Sequence, residues 1–224
     1  MMSSLFADIL PSGAVSVETR KHLKWVALFP EEQHAIRRAG SKRRAEFISA
    51  RACAREALAQ IGFPGLAVPK GFDGGPIWPG GVVGSVTHCA GLRAVAVVRR
   101  GRFAALGIDA EPEAPLPPGV LPAISTRRER AKLRWAGLRI GTVAPDRLLF
   151  SAKEAAFKCL CGAGADAADF ASVRIALGWG TFIAMGGTRR QRLTGRWHVR
   201  DGFICAVAVA DAAPDITQIL HINR

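Results

Sequence analysis

Apolar residues recur at helical spacing in the first third of the chain. Beyond Pro30 they include Phe47 and Leu58, and charged residues occupy the positions between them. Residues three, four and seven apart share one face of a helix, so the pattern predicts a helix over residues 31–61. The turn formers Gly62-Phe63-Pro64-Gly65 end that helix.

The following stretch, residues 70–81, is rich in Gly and Pro and is predicted to be a loop. Short apolar runs bounded by turn residues then predict strands. These predicted strands are 82–86, 93–98, 103–109, 173–177, 181–184, 196–199 and 203–210.

Two helices are predicted between these groups of strands. The order Thr126-Arg127-Arg128-Glu129 has the form of a capping box and opens a basic helix towards Leu138. Ser151-Ala152-Lys153-Glu154 opens a second helix, which ends before Gly162.

A short pattern occurs twice along the chain. The run 91–97 resembles the run 202–209 with one residue inserted, and each run follows a histidine, His88 or His198. Two hairpins of similar composition would explain this echo. The alternative is a repeat of two α+β halves with a site between them.

The Pro-rich passage from Pro112 to Pro122 is the predicted boundary between such halves. It gives an N-terminal half of residues 1–112 and a C-terminal half of residues 113–224. A chain of 224 residues is long enough for one large domain or two small halves.

Composition adds a strong positive charge. The chain has 31 Lys and Arg against 18 Asp and Glu, a formal net charge of +13. A solubilising basic surface would account for it, and so would an acidic partner such as nucleic acid, an anionic membrane or an acidic protein.

Five cysteines without C-x-x-C spacing indicate reduced thiols in a cytoplasmic protein. The first residues lack the features of a secretory signal, and no apolar run is long enough to cross a bilayer. We therefore expect a cytoplasmic protein without a membrane segment.

The acidic residues Asp109 and Glu111 follow an apolar strand in this carboxylate-poor chain. Because they are two apart, an extended backbone directs both side chains to the same face. Oxygen ligands of this kind suit Mg²⁺, which takes one or two carboxylates and completes its shell with water and phosphate. Taken alone, a D-x-E pair is a weak signal, because turn and edge residues ahead of Pro112 would show the same pattern.

Glu154 has several interpretations. It could cap its own helix, or form a surface ion pair with Lys158 four residues later. In the functional interpretation, Glu154 faces a metal or a nucleophile, Lys158 faces phosphate, and Lys153 lies at the edge of the same face.

Other basic groups are candidates for phosphate contacts. Lys70 precedes the glycine-rich loop, and Thr87 and His88 stand where a strand ends. Arg51 and Arg55 share one helical face, although a solvated basic face would look the same.

Taken in order, several motifs resemble those of the 4′-phosphopantetheinyl transferase family, in the subgroup of enterobactin-type and actinobacterial enzymes. The resemblance spans about residues 25 to 210. It is carried by 43–47 with Arg51, Lys70-Gly71, Trp78-Pro79, Gly84-Ser85-Val86-Thr87-His88-Cys89, Gly107-Ile108-Asp109-Ala110-Glu111-Pro112 and Phe150-Ser151-Ala152-Lys153-Glu154-Ala155-Ala156-Phe157-Lys158.

The resemblance implies a pseudo-dimeric α+β fold of two similar halves, with coenzyme A as substrate in the cleft between them. It also implies residue roles. By carry-over, Mg²⁺, or Mn²⁺ in its place, is held by Asp109, Glu111 and Glu154, and the catalytic residues are Asp109, Glu154 and Lys158. Coenzyme A is bound by Lys158, Arg43, Arg51, Lys70, Thr87 and His88. Lys153 is a further candidate for binding coenzyme A, because of its position on the helix.

The implied reaction transfers 4′-phosphopantetheine from coenzyme A to a serine of an acyl or peptidyl carrier protein, releasing 3′,5′-ADP. Such carriers serve fatty acid, polyketide, nonribosomal peptide and siderophore synthesis, and they are acidic. The stretch from Arg127 to Arg139 is then a candidate docking surface on a monomeric enzyme. The alternatives are a basic nucleic-acid-binding module and a Mg²⁺-dependent hydrolase of a nucleotide pyrophosphate.

Overall fold

The computed structural model describes residues 4–23, 26–140, 144–165, 170–188 and 190–212, with the backbone alone for residues 134–140. Its N-terminal part contains β1 (Val15–Thr19), α1 (Pro30–Gln33), a 3₁₀ turn (His34–Ile36) and α2 (Ser41–Gln60). The strands β2 (Val82–Cys89), β3 (Leu92–Arg99) and β4 (Phe103–Pro112) follow.

The C-terminal part begins with three helices: α3 (Val120–Ile124), α4 (Arg127–Ile140) and α5 (Pro145–Gly162). After a 3₁₀ turn (Phe170–Ser172), the chain forms β5 (Arg174–Leu177), β6 (Thr181–Gly186), β7 (Gln191–Arg200) and β8 (Phe203–Asp211). Helices and antiparallel sheets are thus mixed along the chain, and the predicted α+β class is confirmed.

The two sheets share a connection order. The first sheet is ordered β1-β3-β2, and the second is ordered β4-β8-β7-β6-β5. Without β6 and β5, the second sheet is β4-β8-β7, so β4, β8 and β7 correspond to β1, β3 and β2 of the first sheet. In the chain, α2 lies between β1 and β2, and α5 lies between β4 and β7. The echoed runs are therefore the hairpins β2-β3 and β7-β8, each closed by a two-residue turn.

Both long helices pack on the sheet of their own half. One core lies beneath α2 and includes Ala54 and Leu58, and another lies beneath α5 and includes Ala152 and Ala156. A third core joins the two sheets, where residues of β3, β4 and β8 surround the buried side chain of Phe6. Apolar burial of this kind is what holds the two sheets together.

Several predicted boundaries differ from the structure. The helix predicted over 31–61 is interrupted over residues 34–40, first by the 3₁₀ turn and finally by Gly40, which has an extended backbone and precedes α2. Glycine disfavours a helix interior. The helix predicted to open at Ser151 begins six residues earlier with Pro145, a residue suited to the first helical turn. The strand β1 was not predicted at all.

The strands divide into their two sheets between β3 and β4. β4 ends the predicted N-terminal half, yet it hydrogen-bonds to β8. The sheets therefore part between β3 and β4, ahead of the predicted boundary at Pro112.

The predicted capping box is confirmed: the Thr126 amide donates to Glu129 Oε2 at 2.8 Å, and the Glu129 amide donates to Thr126 Oγ1 at 3.1 Å.

All five cysteines are free thiols. Burial raises the pKa of Cys53, Cys89 and Cys159 to about 12, so these groups remain protonated at neutral pH. Among the described residues, no helix combines the length and apolar character needed to cross a membrane.

Candidate active site

A cleft of about 870 Å³ opens between the two halves. One wall is formed by α2 and the loop 70–81, and the opposite wall by α5. Residues of β2 and the start of β4 form its floor. Both halves therefore contribute to a single cavity, which agrees with the expectation of a site between them.

The α5 wall follows directly from helical spacing. Glu154, Phe157, Lys158 and Cys161 line the cleft at positions i, i+3, i+4 and i+7 of one helix. This arrangement brings a carboxylate and an ammonium group to the same face of α5, as the functional interpretation of the sequence required.

Lys158 links the strand-end carboxylate to the helical one. Its Nζ lies 2.8 Å from Asp109 Oδ1 and 3.8 Å from Glu154 Oε2. It also donates to Thr87 Oγ1 at 3.3 Å and to the carbonyl of Ile108 at 3.2 Å. Asp109 and Glu154 therefore both lie within ion-pair distance of the same ammonium group.

Asp109 is buried at the end of this network, with only 3% of its surface exposed. Its Oδ1 accepts hydrogen bonds from Thr87 and Lys158, whereas its Oδ2 is buried and has no hydrogen-bond partner among the described residues. A buried carboxylate oxygen without a partner is costly. This oxygen is thus an acceptor that a cation or a ligand group could satisfy.

The glycine of the Gly107-Ile108-Asp109 motif explains how β4 reaches this position. A Cβ at Gly107 would overlap the carbonyl oxygen of Ala155. Only glycine permits β4 and α5 to approach so closely, and this contact brings Asp109 within reach of Lys158.

The predicted trio of metal ligands is not assembled. Glu111 Oε2 accepts a hydrogen bond from Arg147 Nη1 at 2.8 Å, and Arg147 also binds the carbonyls of Ala114 and Pro115. Among the described residues no three His, Cys, Asp or Glu side chains are grouped to hold a metal. Glu111 is thus paired with a nearby arginine that the sequence pattern did not reveal, and its role as a metal ligand stays a prediction.

Glu154 is half-buried in the cleft wall, with 29% of its side chain exposed. Burial raises its pKa, Asp109 raises it further, and Lys158 opposes the shift. A carboxylate whose pKa moves towards neutrality is a better proton acceptor than an ordinary one.

The α2 wall carries the candidate anion-binding groups. Arg43 Nη1 lies 3.3 Å from His88 Nε2, and both residues line the cleft. Burial and the nearby Arg43 guanidinium lower the pKa of His88. His88 is therefore biased towards its neutral form beside a permanently charged arginine.

Arg51 lies deeper in the same wall. It is 5% exposed, its guanidinium lies 4.2 Å from the centre of the Phe47 ring, and its Nε has no hydrogen-bond partner among the described residues. Burial lowers the pKa of Arg51 to about 10, so it remains a cation at neutral pH. A buried cation with an unused donor is what an anionic ligand would satisfy. Lys70 reaches the cleft from the loop.

Two other residues predicted to bind coenzyme A are buried in the structure. Lys153 is fully buried, pairs with Glu129 at 3.1 Å and donates to the carbonyl of Val173. One residue along a helix rotates the side chain by about 100°, so Lys153 faces the core while Glu154 faces the cleft. Thr87, expected at the phosphates, is also buried and instead donates to Asp109 at 2.9 Å.

The sequence interpretation also missed cleft residues. Arg100 and Glu46 line the cavity. Arg100 follows a strand and carries no motif, and Glu46 belongs to a run that drew attention for its arginines alone. The i, i+3 spacing of Arg43 and Glu46 was the signal that could have identified Glu46.

The arrangement is suited to an elongated polyanion held beside a carboxylate base. Arg43, Arg51, Lys70 and Lys158 supply positive charge from both walls. Asp109 and Glu154 fit a Mg²⁺ ion that completes its shell with phosphate and water, because Asp109 Oδ2 is free to bind and Glu154 is accessible.

Comparison with known proteins identifies relatives. Residues 31–98 match the family profile of the 4′-phosphopantetheinyl transferase N-terminal domain, and residues 105–208 match the 4′-phosphopantetheinyl transferase superfamily. The chain is 42% identical to 4′-phosphopantetheinyl transferase Npt of Nocardia iowensis over 92% of its length and 100% of the relative. It is 44% identical to Svp of Streptomyces mobaraensis (94% and 90% covered) and 41% identical to PptT of Mycobacterium tuberculosis (93% and 99% covered), both 4′-phosphopantetheinyl transferases.

Proposed function

This chain belongs to the 4′-phosphopantetheinyl transferase superfamily, and from that membership we propose how its cleft performs the transfer. The donor is coenzyme A, the acceptor is the serine of an apo carrier protein, and the products are the holo carrier and 3′,5′-ADP. The observation that carries the proposal is the Asp109–Lys158–Glu154 contact in a cleft lined by cations from both halves.

The donor is held along the cleft by charge. Arg43, Arg51, Lys70 and His88 bind the nucleotide end with its 3′-phosphate, and Lys158 contacts the pyrophosphate. Guanidinium groups suit phosphate oxygens because they donate several hydrogen bonds in a fixed plane. Asp109 and Glu154, with Glu111 as the third predicted ligand, would hold Mg²⁺ or Mn²⁺ in its place. The ion would supply charge neutralisation for the pyrophosphate.

The chemical step is a displacement at phosphorus. The serine oxygen forms a bond to the β-phosphorus of coenzyme A, and the bond between that phosphorus and the bridging oxygen breaks. Glu154 takes the serine proton directly or through one water, because its carboxylate is accessible in the cleft. Lys158 stabilises the negative charge that develops on the phosphates.

The net charge of +13 fits an acidic carrier protein as the partner. The predicted docking stretch begins with α4, although the side chains of residues 134–140 lie outside the described part of the chain. The enzyme is proposed to act as a cytoplasmic monomer.

Incubation with coenzyme A, Mg²⁺ and an apo carrier domain tests the proposal. Mass spectrometry should show a gain of one phosphopantetheine group per carrier, with one 3′,5′-ADP released for each. Coenzyme A cleaved without a carrier would favour the pyrophosphate hydrolase instead. Tight duplex binding with no transfer to any of several carriers would favour the nucleic-acid-binding alternative.

A further inference from the structure

Glu46 lies between two guanidinium groups at the edge of the cleft. Its Oε2 is 3.9 Å from Arg43 Nη1, and its Oε1 is 3.7 Å from Arg93 Nη2. Its side chain is 14% exposed. It is one of the few acidic residues that line a cleft otherwise rich in cations.

The two arginines differ in their surroundings. Arg93 is buried on β3, with 5% of its side chain exposed, and its Nη2 lies 3.2 Å from His22 Nε2. Arg43 has 54% of its side chain exposed at the cleft wall. A long exposed side chain samples many rotamers, and ordering it costs conformational entropy. Glu46 therefore lies within ion-pair distance of both the exposed Arg43 and the buried Arg93, and it links the position of Arg43 to that of Arg93.

We propose that Glu46 is a positioning residue that presents Arg43 to the 3′-phosphate of coenzyme A. The inference rests on the proposed function, in which Arg43 binds that end of the donor. Glu46 Oε2 and His88 Nε2 both lie close to the same guanidinium nitrogen, Arg43 Nη1, at 3.9 Å and 3.3 Å. The preference for a donor with a 3′-phosphate then depends on a carboxylate that does not itself touch the phosphate.

Removing this carboxylate has two effects on coenzyme A affinity, and they act in opposite directions. A measured affinity therefore tests the proposal. Replacing Glu46 with a neutral residue makes the cleft more positive, and electrostatics alone would then tighten the binding of every anion. Loss of positioning would instead weaken binding, and only for ligands that carry a 3′-phosphate. The direction of the change therefore separates the two effects.

The experiment measures the Kd of coenzyme A and of dephospho-coenzyme A by calorimetry, for the wild-type chain and for Glu46→Gln. We expect coenzyme A to bind about tenfold more weakly to the variant, the scale of one lost charge-assisted contact. Dephospho-coenzyme A should bind as before or slightly tighter. Glu56→Gln is the matched control, because Glu56 is an exposed glutamate on the same helix.

A double-mutant cycle tests whether Glu46 acts through Arg43. In an Arg43→Met background, Glu46→Gln should cause no further loss of coenzyme A affinity. An undiminished further loss would overturn the proposal, as would tighter coenzyme A binding by Glu46→Gln alone. If Glu46→Gln does not fold, Glu46→Asp serves instead, because it keeps a charge near Arg93 and shortens the reach to Arg43.

These binding measurements also separate this inference from the proposed function. A wild-type chain that binds coenzyme A with a 3′-phosphate preference, and keeps that preference in Glu46→Gln, would overturn only the role of Glu46. A wild-type chain that binds neither coenzyme A nor 3′,5′-ADP would overturn both.

Discussion

Lys158 Nζ lies 2.8 Å from Asp109 Oδ1 and thereby joins a residue of α5 to a residue of β4 that is 49 positions earlier in the chain. The same ammonium lies one helical turn from the Glu154 carboxylate. The three side chains form one electrostatic unit, so a change in any of them alters the charge that the other two experience.

The first prediction concerns Asp109. Asp109→Asn should lower kcat/KM for transfer by at least about 10²-fold, because Lys158 loses its charged partner and a ligand for Mg²⁺ is lost. Steady-state kinetics with an apo carrier measures this, and circular dichroism checks the fold. Asp201→Asn is the control, since Asp201 is an exposed residue of a hairpin turn. Its backbone has a positive φ angle, which asparagine adopts readily. Full activity of Asp109→Asn would remove Asp109 from the site.

The second prediction concerns Glu154 as a base. Glu154→Gln should reduce kcat far more than it weakens coenzyme A binding. If Glu154 is the base, the wild-type pH–rate profile should have an acid limb where this carboxylate is protonated, and the variant should lack that limb. Weakened coenzyme A affinity with unchanged turnover would contradict the role of base.

Glu154 should also affect stability, with a definite sign. Its pKa is higher in the folded chain than in the unfolded chain, so the folded state loses stability as pH rises through that interval. Glu154→Gln should therefore melt at a higher temperature than the wild type at neutral pH, and this advantage should disappear in acid. Thermal melts across a pH series would show it, and a variant less stable at neutral pH would refute it.

The fourth prediction separates charge pairing from catalysis at Lys158. Lys158→Met leaves Asp109 buried without a cation, and it should cost about 1–3 kcal/mol of unfolding free energy, discounted for the partial exposure of Lys158. Adding Asp109→Asn should recover part of that stability but none of the activity. Urea unfolding and kinetics on the single and double variants would check both parts. Additive losses of stability would show that the two groups are not coupled.

The fifth prediction concerns Lys153, which the structure places in the core of the C-terminal half. Lys153→Met should cost about 3 kcal/mol of unfolding free energy, because Glu129 would be left buried without its cation, while the Kd of coenzyme A should not change. Although burial opposes it, hydrogen bonds from Thr126 and Ile175 together with Lys153 lower the pKa of Glu129. The stability that these contacts with ionised Glu129 contribute is present above pH 4.5 and is lost as the pH falls through the folded-state pKa of Glu129. Over that pH interval the unfolding free energy of the wild type should decline more steeply than that of the variant.

The sequence predicted most of the elements because their signals are local. The capping box at Thr126, the turns of the hairpins and the i, i+4 spacing of Glu154 and Lys158 each depend on neighbours within a few residues. Element ends were less reliable. α5 begins at Pro145, where the helix signal competes with the loop before it.

The chain by itself thus determined the α+β class, the family motifs and which residue types could bind phosphate or a cation, because composition and short-range spacing carry that information. Tertiary structure decided which of those groups meet. Packing of β4 against α5 at Gly107 places Asp109 beside Lys158. The direction of its side chain from α5 places Lys153 in the core beside Glu129, and Arg147 forms an ion pair with Glu111. Contacts between residues far apart in sequence depend on how sheets and helices pack, and no local pattern records that packing.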